Sequence, residues 1–66
     1  SLNWDECQAE TPFGTYDFGR VGGVWTLRLD GVDIETGVER NFRRAAGAAK
    51  EAAQLHHEGR VLAALK

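Results

Sequence analysis

Val24-Trp25-Thr26-Leu27-Arg28-Leu29-Asp30-Gly31-Val32-Asp33-Ile34-Glu35 is the stretch whose reading decides the fold. Trp25, Leu27 and Leu29 share one phase of a two-residue period, and Thr26, Arg28 and Asp30 share the other. A strand with one buried and one wet face has this pattern. Asp30-Gly31 is a strong hairpin signal, because both central residues of the favoured two-residue turn need positive φ. Val32 to Glu35 resumes the alternation as a short strand, which Thr36-Gly37 is expected to end.

Upstream, Thr15 to Phe18 reads as another strand, with Tyr16 and Phe18 on one face and Asp17 on the other. Gly19-Arg20-Val21-Gly22-Gly23 reads as a flexible connection. It precedes a strand, whereas a phosphate-cradling loop leads into a helix. Thr11-Pro12-Phe13-Gly14 is a turn, with Pro and Gly each setting the backbone. Leu2-Asn3-Trp4-Asp5 alternates as a first strand, and its phase shifts near Glu6, as at a bulge.

Downstream the period changes. Phe42, Ala45, Ala46, Ala49, Ala52, Ala53 and His56 recur at three- and four-residue steps, the stripe of an amphipathic helix that Asn41 can cap. Arg43, Lys50 and His57 are expected on the solvent side. The pattern breaks at Gly59, beyond which Val61, Leu62 and Leu65 fall on the polar side. Two explanations stand: a kink at Gly59 that folds the last turns over the sheet, or a helix that continues and offers an apolar patch to a second chain. The reading is therefore α+β: a four-stranded antiparallel meander with one long C-terminal helix on one face. It is one domain, 1–66, with strands within about residues 2–36 and the helix at about 41–65. The face with Trp4, Tyr16, Phe18, Trp25, Leu27, Leu29 and Ile34 should meet the Ala stripe. The face with Asn3, Asp5, Asp17, Thr26, Arg28, Asp33 and Glu35 should stay open.

Composition narrows the function. The chain has 66 residues, enough for one small core, and nine of its hydrophobic residues are Ala. Charge is divided: residues 1–39 hold eight acids and two bases, and residues 40–66 hold six bases and two acids, for a net −2. Opposite fields on two layers either bind something charged or neutralise each other. Cys7 is the lone cysteine, which excludes an intrachain disulfide and suits a reducing compartment. No basic start with an apolar run marks a signal peptide, and no stretch approaches a membrane span, so a cytoplasmic location is expected.

No constellation carries catalysis. Nothing places Cys7 beside His56 or His57, as an activated thiolate would need. His56 and His57 are adjacent, about 100° apart on a helix, and do not share a metal ion easily. Asp30, Asp33 and Glu35 lack the ligand order of a calcium loop. No cofactor or metal is expected. Arg40, Arg43 and Arg44 crowd the helix start, where positive charge opposes the macrodipole. Pairing with Asp33, Glu35 or Glu39 is the expected reason.

The run from Gly23 to Gly31, followed by Phe42 and the helix with Ala49-Lys50 and Ala52, resembles the strand-plus-helix DNA-binding modules of phage-type tyrosine integrases. That likeness implies a sheet in the major groove. Arg43 to Ala53 is similar to the last helix of double-stranded-RNA-binding domains. The wider pattern of Trp4, Thr11-Pro12-Phe13-Gly14, Gly22-Gly23-Val24-Trp25 and a late Ala/Glu/His helix resembles small phage and prophage accessory proteins. Some of these act by binding host enzymes.

The expected function is a non-enzymatic protein-binding accessory module, an inhibitor or modulator. It would act through an acidic face (Asp17, Asp30, Asp33, Glu35) or through Val61, Leu62 and Leu65, which would also serve self-association as a homodimer. The alternative is a small nucleic-acid-binding protein that contacts phosphates through Arg40, Arg43, Arg44, Lys50 and Arg20. The net charge of −2 weighs against it, because phosphate contacts dominate such affinity.

Overall fold

The computed structural model describes residues 2–65. Four strands, β1 (Gln8–Thr11), β2 (Gly14–Val21), β3 (Val24–Leu29) and β4 (Val32–Val38), precede one helix, α1 (Phe42–Ala64). The sheet order is β1-β2-β3-β4 with every neighbouring pair antiparallel, so the chain is an α+β meander with its C-terminal helix on one face. The helix lies over β2, β3 and β4. Its length, about 35 Å for 23 residues at 1.5 Å each, accounts for most of the molecule's 39 Å long axis.

The expected core forms. Tyr16, Phe18, Trp25 and Leu27 are buried against Ala45, Ala49, Ala52 and Ala53, with Leu2, Trp4, Leu29 and Ile34 packed around them. Large side chains on the sheet and small ones on the helix bring the two layers close. Ala also loses no rotamer freedom on burial. Trp25, Tyr16, Phe18 and Leu27 supply most of the hydrophobic gain, about 1.5–3 kcal/mol for each such fully buried side chain.

Several boundaries differ from the sequence reading. Residues 2–4 form no strand. Asp5 and Gln8 exchange two backbone hydrogen bonds (2.7 and 3.1 Å) around a turn with Glu6 at φ 58°, so the phase shift near Glu6 is a reversal of the chain rather than a bulge. The first strand begins after it, with Ala9 buried. Gly19, Arg20 and Val21 belong to β2, and the connection to β3 is only Gly22-Gly23. Nor does Thr36-Gly37 end β4. Gly37 pairs with Trp25, and the indole lies where a Cβ on Gly37 would stand, so the strand needs glycine to pass beneath the ring.

The Asp30-Gly31 hairpin forms with φ 52° and 82°. Asp30 Oδ1 also accepts the Thr15 N–H at 2.9 Å, which ties this turn to the start of β2. In α1, Asn41 Oδ1 caps the Arg44 N–H at 3.1 Å. The helix runs unbroken through Gly59, so the kink does not occur and Leu62 and Leu65 remain exposed, with Val61 half-buried. Phe42 and His56, expected at the two ends of the buried stripe, are both exposed, because the buried stripe runs only from Ala45 to Ala53.

Candidate protein-contact face

The register arranges the uncovered side of the sheet in cross-strand rows. Trp25 faces the helix, so Val24 and Thr26 on either side of it face away. Val24 pairs with Val21 on β2 and with Val38 on β4, making a row of three valines at one end of the open face. They are 87% (Val21), 44% (Val24) and 82% (Val38) exposed. The next row is Gly19–Thr26–Thr36, and the next is Asp17–Arg28–Asp33.

Arg28 Nε donates to Asp17 Oδ1 at 2.7 Å. Gly19 leaves room for the guanidinium, since a Cβ there would stand 3.3 Å from Arg28 Nη2. Asp33 pairs with Arg28 in register, but its carboxylate forms no ion pair among the described residues. The row therefore keeps an excess negative charge, beside exposed Glu10 on β1. Both partners of the Asp17–Arg28 pair are more than a third exposed, so solvent screening keeps its contribution small.

The expected acidic set is divided by the backbone. Asp17 is neutralised locally and Asp30 is engaged with the Thr15 amide. Between Leu27 and Arg28 the β3–β4 register shifts, leaving Ile34 unpaired. Asp33 then pairs with Arg28 on the open face, whereas Glu35 pairs with Leu27 on the covered face. A bulge of this kind re-aims side chains, so Asp33 and Glu35 do not share the face that strict alternation predicts.

The basic set is dispersed too. Arg20 Nη1 donates to the Gly22 and Arg40 carbonyls at 2.8 and 2.9 Å, and its guanidinium lies 5.7 Å from the Phe42 ring centre. It binds the β2–β3 turn to the helix approach. Lys50, expected on the solvent stripe, lies 5.8 Å over Trp4. Arg40, Arg43 and Arg44 are exposed. The expected pairing with Asp33, Glu35 or Glu39 is absent among the described residues. Glu39 Oε1 instead accepts the Asn41 N–H at 3.1 Å.

The histidines anchor the helix. The Tyr16 hydroxyl and His56 Nδ1 are 2.6 Å apart, and the Tyr16 and His56 rings meet edge-on. His57, expected in solvent, turns toward Phe13 and Tyr16, with ring centres 6.1 and 6.3 Å away, and its buried Nδ1 has no hydrogen-bond partner among the described residues. Arg60 covers Phe13 at 5.5 Å. Burial pushes the Tyr16 phenol above its ordinary value, and nearby Arg60 partly offsets this. Cys7 is exposed in the turn before β1. Among the described residues, no three His, Cys, Asp or Glu side chains are grouped to hold a metal ion, and no helix is long and apolar enough to cross a membrane.

Sequence reasoning passed over the valine row. Its signal was present, because Val24 occupies the polar phase of its own strand. Val21 and Val38 lay in segments read as loop and strand end, and only the register aligns all three. Comparison with protein-family models, curated proteins and solved structures found no match for this chain.

Proposed function

We propose that this chain is a non-enzymatic protein-binding module whose contact surface is the sheet face opposite the helix. The observation that carries this reading is the uncovered row Val21–Val24–Val38 set two rows from an acidic one. Aligned apolar side chains left in water beside unbalanced acids suit a partner patch that is apolar at one end and basic at the other. The phage-type accessory proteins that the sequence resembles fit this mode of action.

A second reading has one specific support. Arg40, Arg43 and Arg44 are exposed and free of ion pairs among the described residues, as phosphate-contacting side chains would be. Arg20 and Lys50, each engaged within the chain, contribute less to it.

The deciding experiment places a photo-crosslinking residue at Val24 or, separately, at Gly47 on the exposed side of the helix, in extracts of the cells that make the protein. The expected result is a discrete protein adduct from position 24 and none from position 47. Labelled duplex DNA and RNA titrated at low salt should not bind. Salt-sensitive nucleic-acid binding that disappears in Arg43→Glu/Arg44→Glu, with no adduct at position 24, would replace this reading by the second.

A further inference from the structure

We infer that β4 is a docking edge for an extended segment of the partner, carrying two adjacent basic residues between apolar ones, which joins the sheet as a fifth strand. This inference rests on the protein-binding reading above and specifies how the partner is held.

The two edges of the sheet differ. β1 has four residues, follows the closed Asp5–Gln8 turn and is followed at once by Pro12, so it presents little backbone to an incoming chain. β4 has seven residues, no Pro and no Lys or Arg, and among the described residues it pairs only with β3. Its outward N–H and C=O groups have no backbone partner among the described residues. Such an edge accepts a strand by main-chain hydrogen bonding, with alternate side chains setting specificity.

The side chains of β4 select the occupant. Val32 pairs with Leu29 on the covered face, and Val38 belongs to the open-face row; both are exposed, one at each end of the strand. Between them, the unpaired Ile34 turns Asp33 toward the open face and Glu35 toward the covered one. An added strand alternates its side chains between the same two faces. Two consecutive basic residues would therefore each meet one acid, with an apolar residue directly after them against Val32 and another three places before them against Val38, in an antiparallel strand. Neither Asp33 nor Glu35 has an ion pair of its own among the described residues. A second copy of this chain is disfavoured as the occupant. Antiparallel β4–β4 pairing about the central residue sets Glu35 against Glu35, and like charges directly opposite are destabilising.

The test uses the full isotope-labelled chain and two capped hexapeptides, Val-Thr-Thr-Lys-Lys-Val and Val-Thr-Thr-Glu-Glu-Val, written to pair antiparallel with Val38 to Val32 across the unpaired Ile34. Amide shifts and hydrogen exchange are followed by NMR. The lysine peptide is expected to shift and protect β4 amides, and the glutamate peptide to leave them unchanged. In Asp33→Lys/Glu35→Lys, with its fold verified by an unchanged amide spectrum elsewhere, affinity for the lysine peptide should fall at least tenfold and preference should pass to the glutamate peptide. Unperturbed β4 amides at millimolar lysine peptide overturn the inference, as does equal response to both peptides. Shifts confined to Val21, Val24 and Thr26 overturn the edge while leaving the protein-binding reading intact. Protection of β4 that grows with protein concentration in the absence of peptide also overturns it, in favour of self-association.

Discussion

The two faces of this sheet are made from the same strands, yet one is sealed and the other is bare. On the covered side Tyr16, Phe18, Trp25 and Leu27 are buried beneath alanines. On the other side, the immediate neighbours of those residues, Asp17, Val24, Thr26 and Arg28, remain in contact with water. The difference teaches that alternation assigns a residue to a face, while stability depends on whether a second layer covers that face. A single helix can cover only one, so stability should concentrate there and the other face is left in water.

Substitutions can break or sharpen this contrast. Trp25→Ala removes the largest side chain of the covered face and should cost about 3–5 kcal/mol, leaving much of the population unfolded in a denaturant titration. Gly37→Ala adds a single methyl beneath the same indole and should cost about 1–3 kcal/mol by overpacking, read as a lower denaturation midpoint. A neutral result would mean that Trp25 does not rest on β4.

Tyr16→Phe removes the hydroxyl facing His56 and should cost about 0.5–1.5 kcal/mol. It also has a pH signature. The folded phenol holds its proton above the ordinary value of 10.0. As pH rises past that value, the unfolded chain releases the proton first and binds fewer, so stability declines through the alkaline range. Below it the contribution is fully present. The stability difference between wild type and Tyr16→Phe, measured by chemical denaturation from neutral pH upward, should shrink above about pH 10.

The open face should respond least. Asp17→Asn, which weakens the ion pair with Arg28, should cost about 0.2–1 kcal/mol at low ionic strength and less in high salt. Val24→Thr, one residue from Trp25, should stay within about 0.5 kcal/mol of wild type. A loss there comparable to that of Trp25→Ala would show that something already covers the open face, self-association being the case to examine by sedimentation.

Much of this was legible in the residues. The alternation of Val24 to Leu29, the Asp30-Gly31 turn, the Asn41 cap and the Ala stripe are local signals, and each determined its element and the meander that joins them. The same local rules misplaced Leu2–Asp5, because a four-residue alternation does not reveal whether another strand lies beside it. They also ended β4 early, because Thr36-Gly37 reads as a terminator until the Trp25 ring is set over Gly37. The candidate face was half legible: its acids could be named, but not which of them were already occupied.

By itself, then, the sequence determined the class of fold, the order of the main elements and most of the residues that form the core, since these follow from periodicities of two and 3.6 and from turn chemistry. Only the tertiary structure decided the rest. Pairing across strands aligned Val21, Val24 and Val38, and the register shift at Ile34 parted Asp33 from Glu35. Packing turned His57 inward and set Lys50 on Trp4. These are relations between residues distant in the chain, and no local pattern encodes the distance between them.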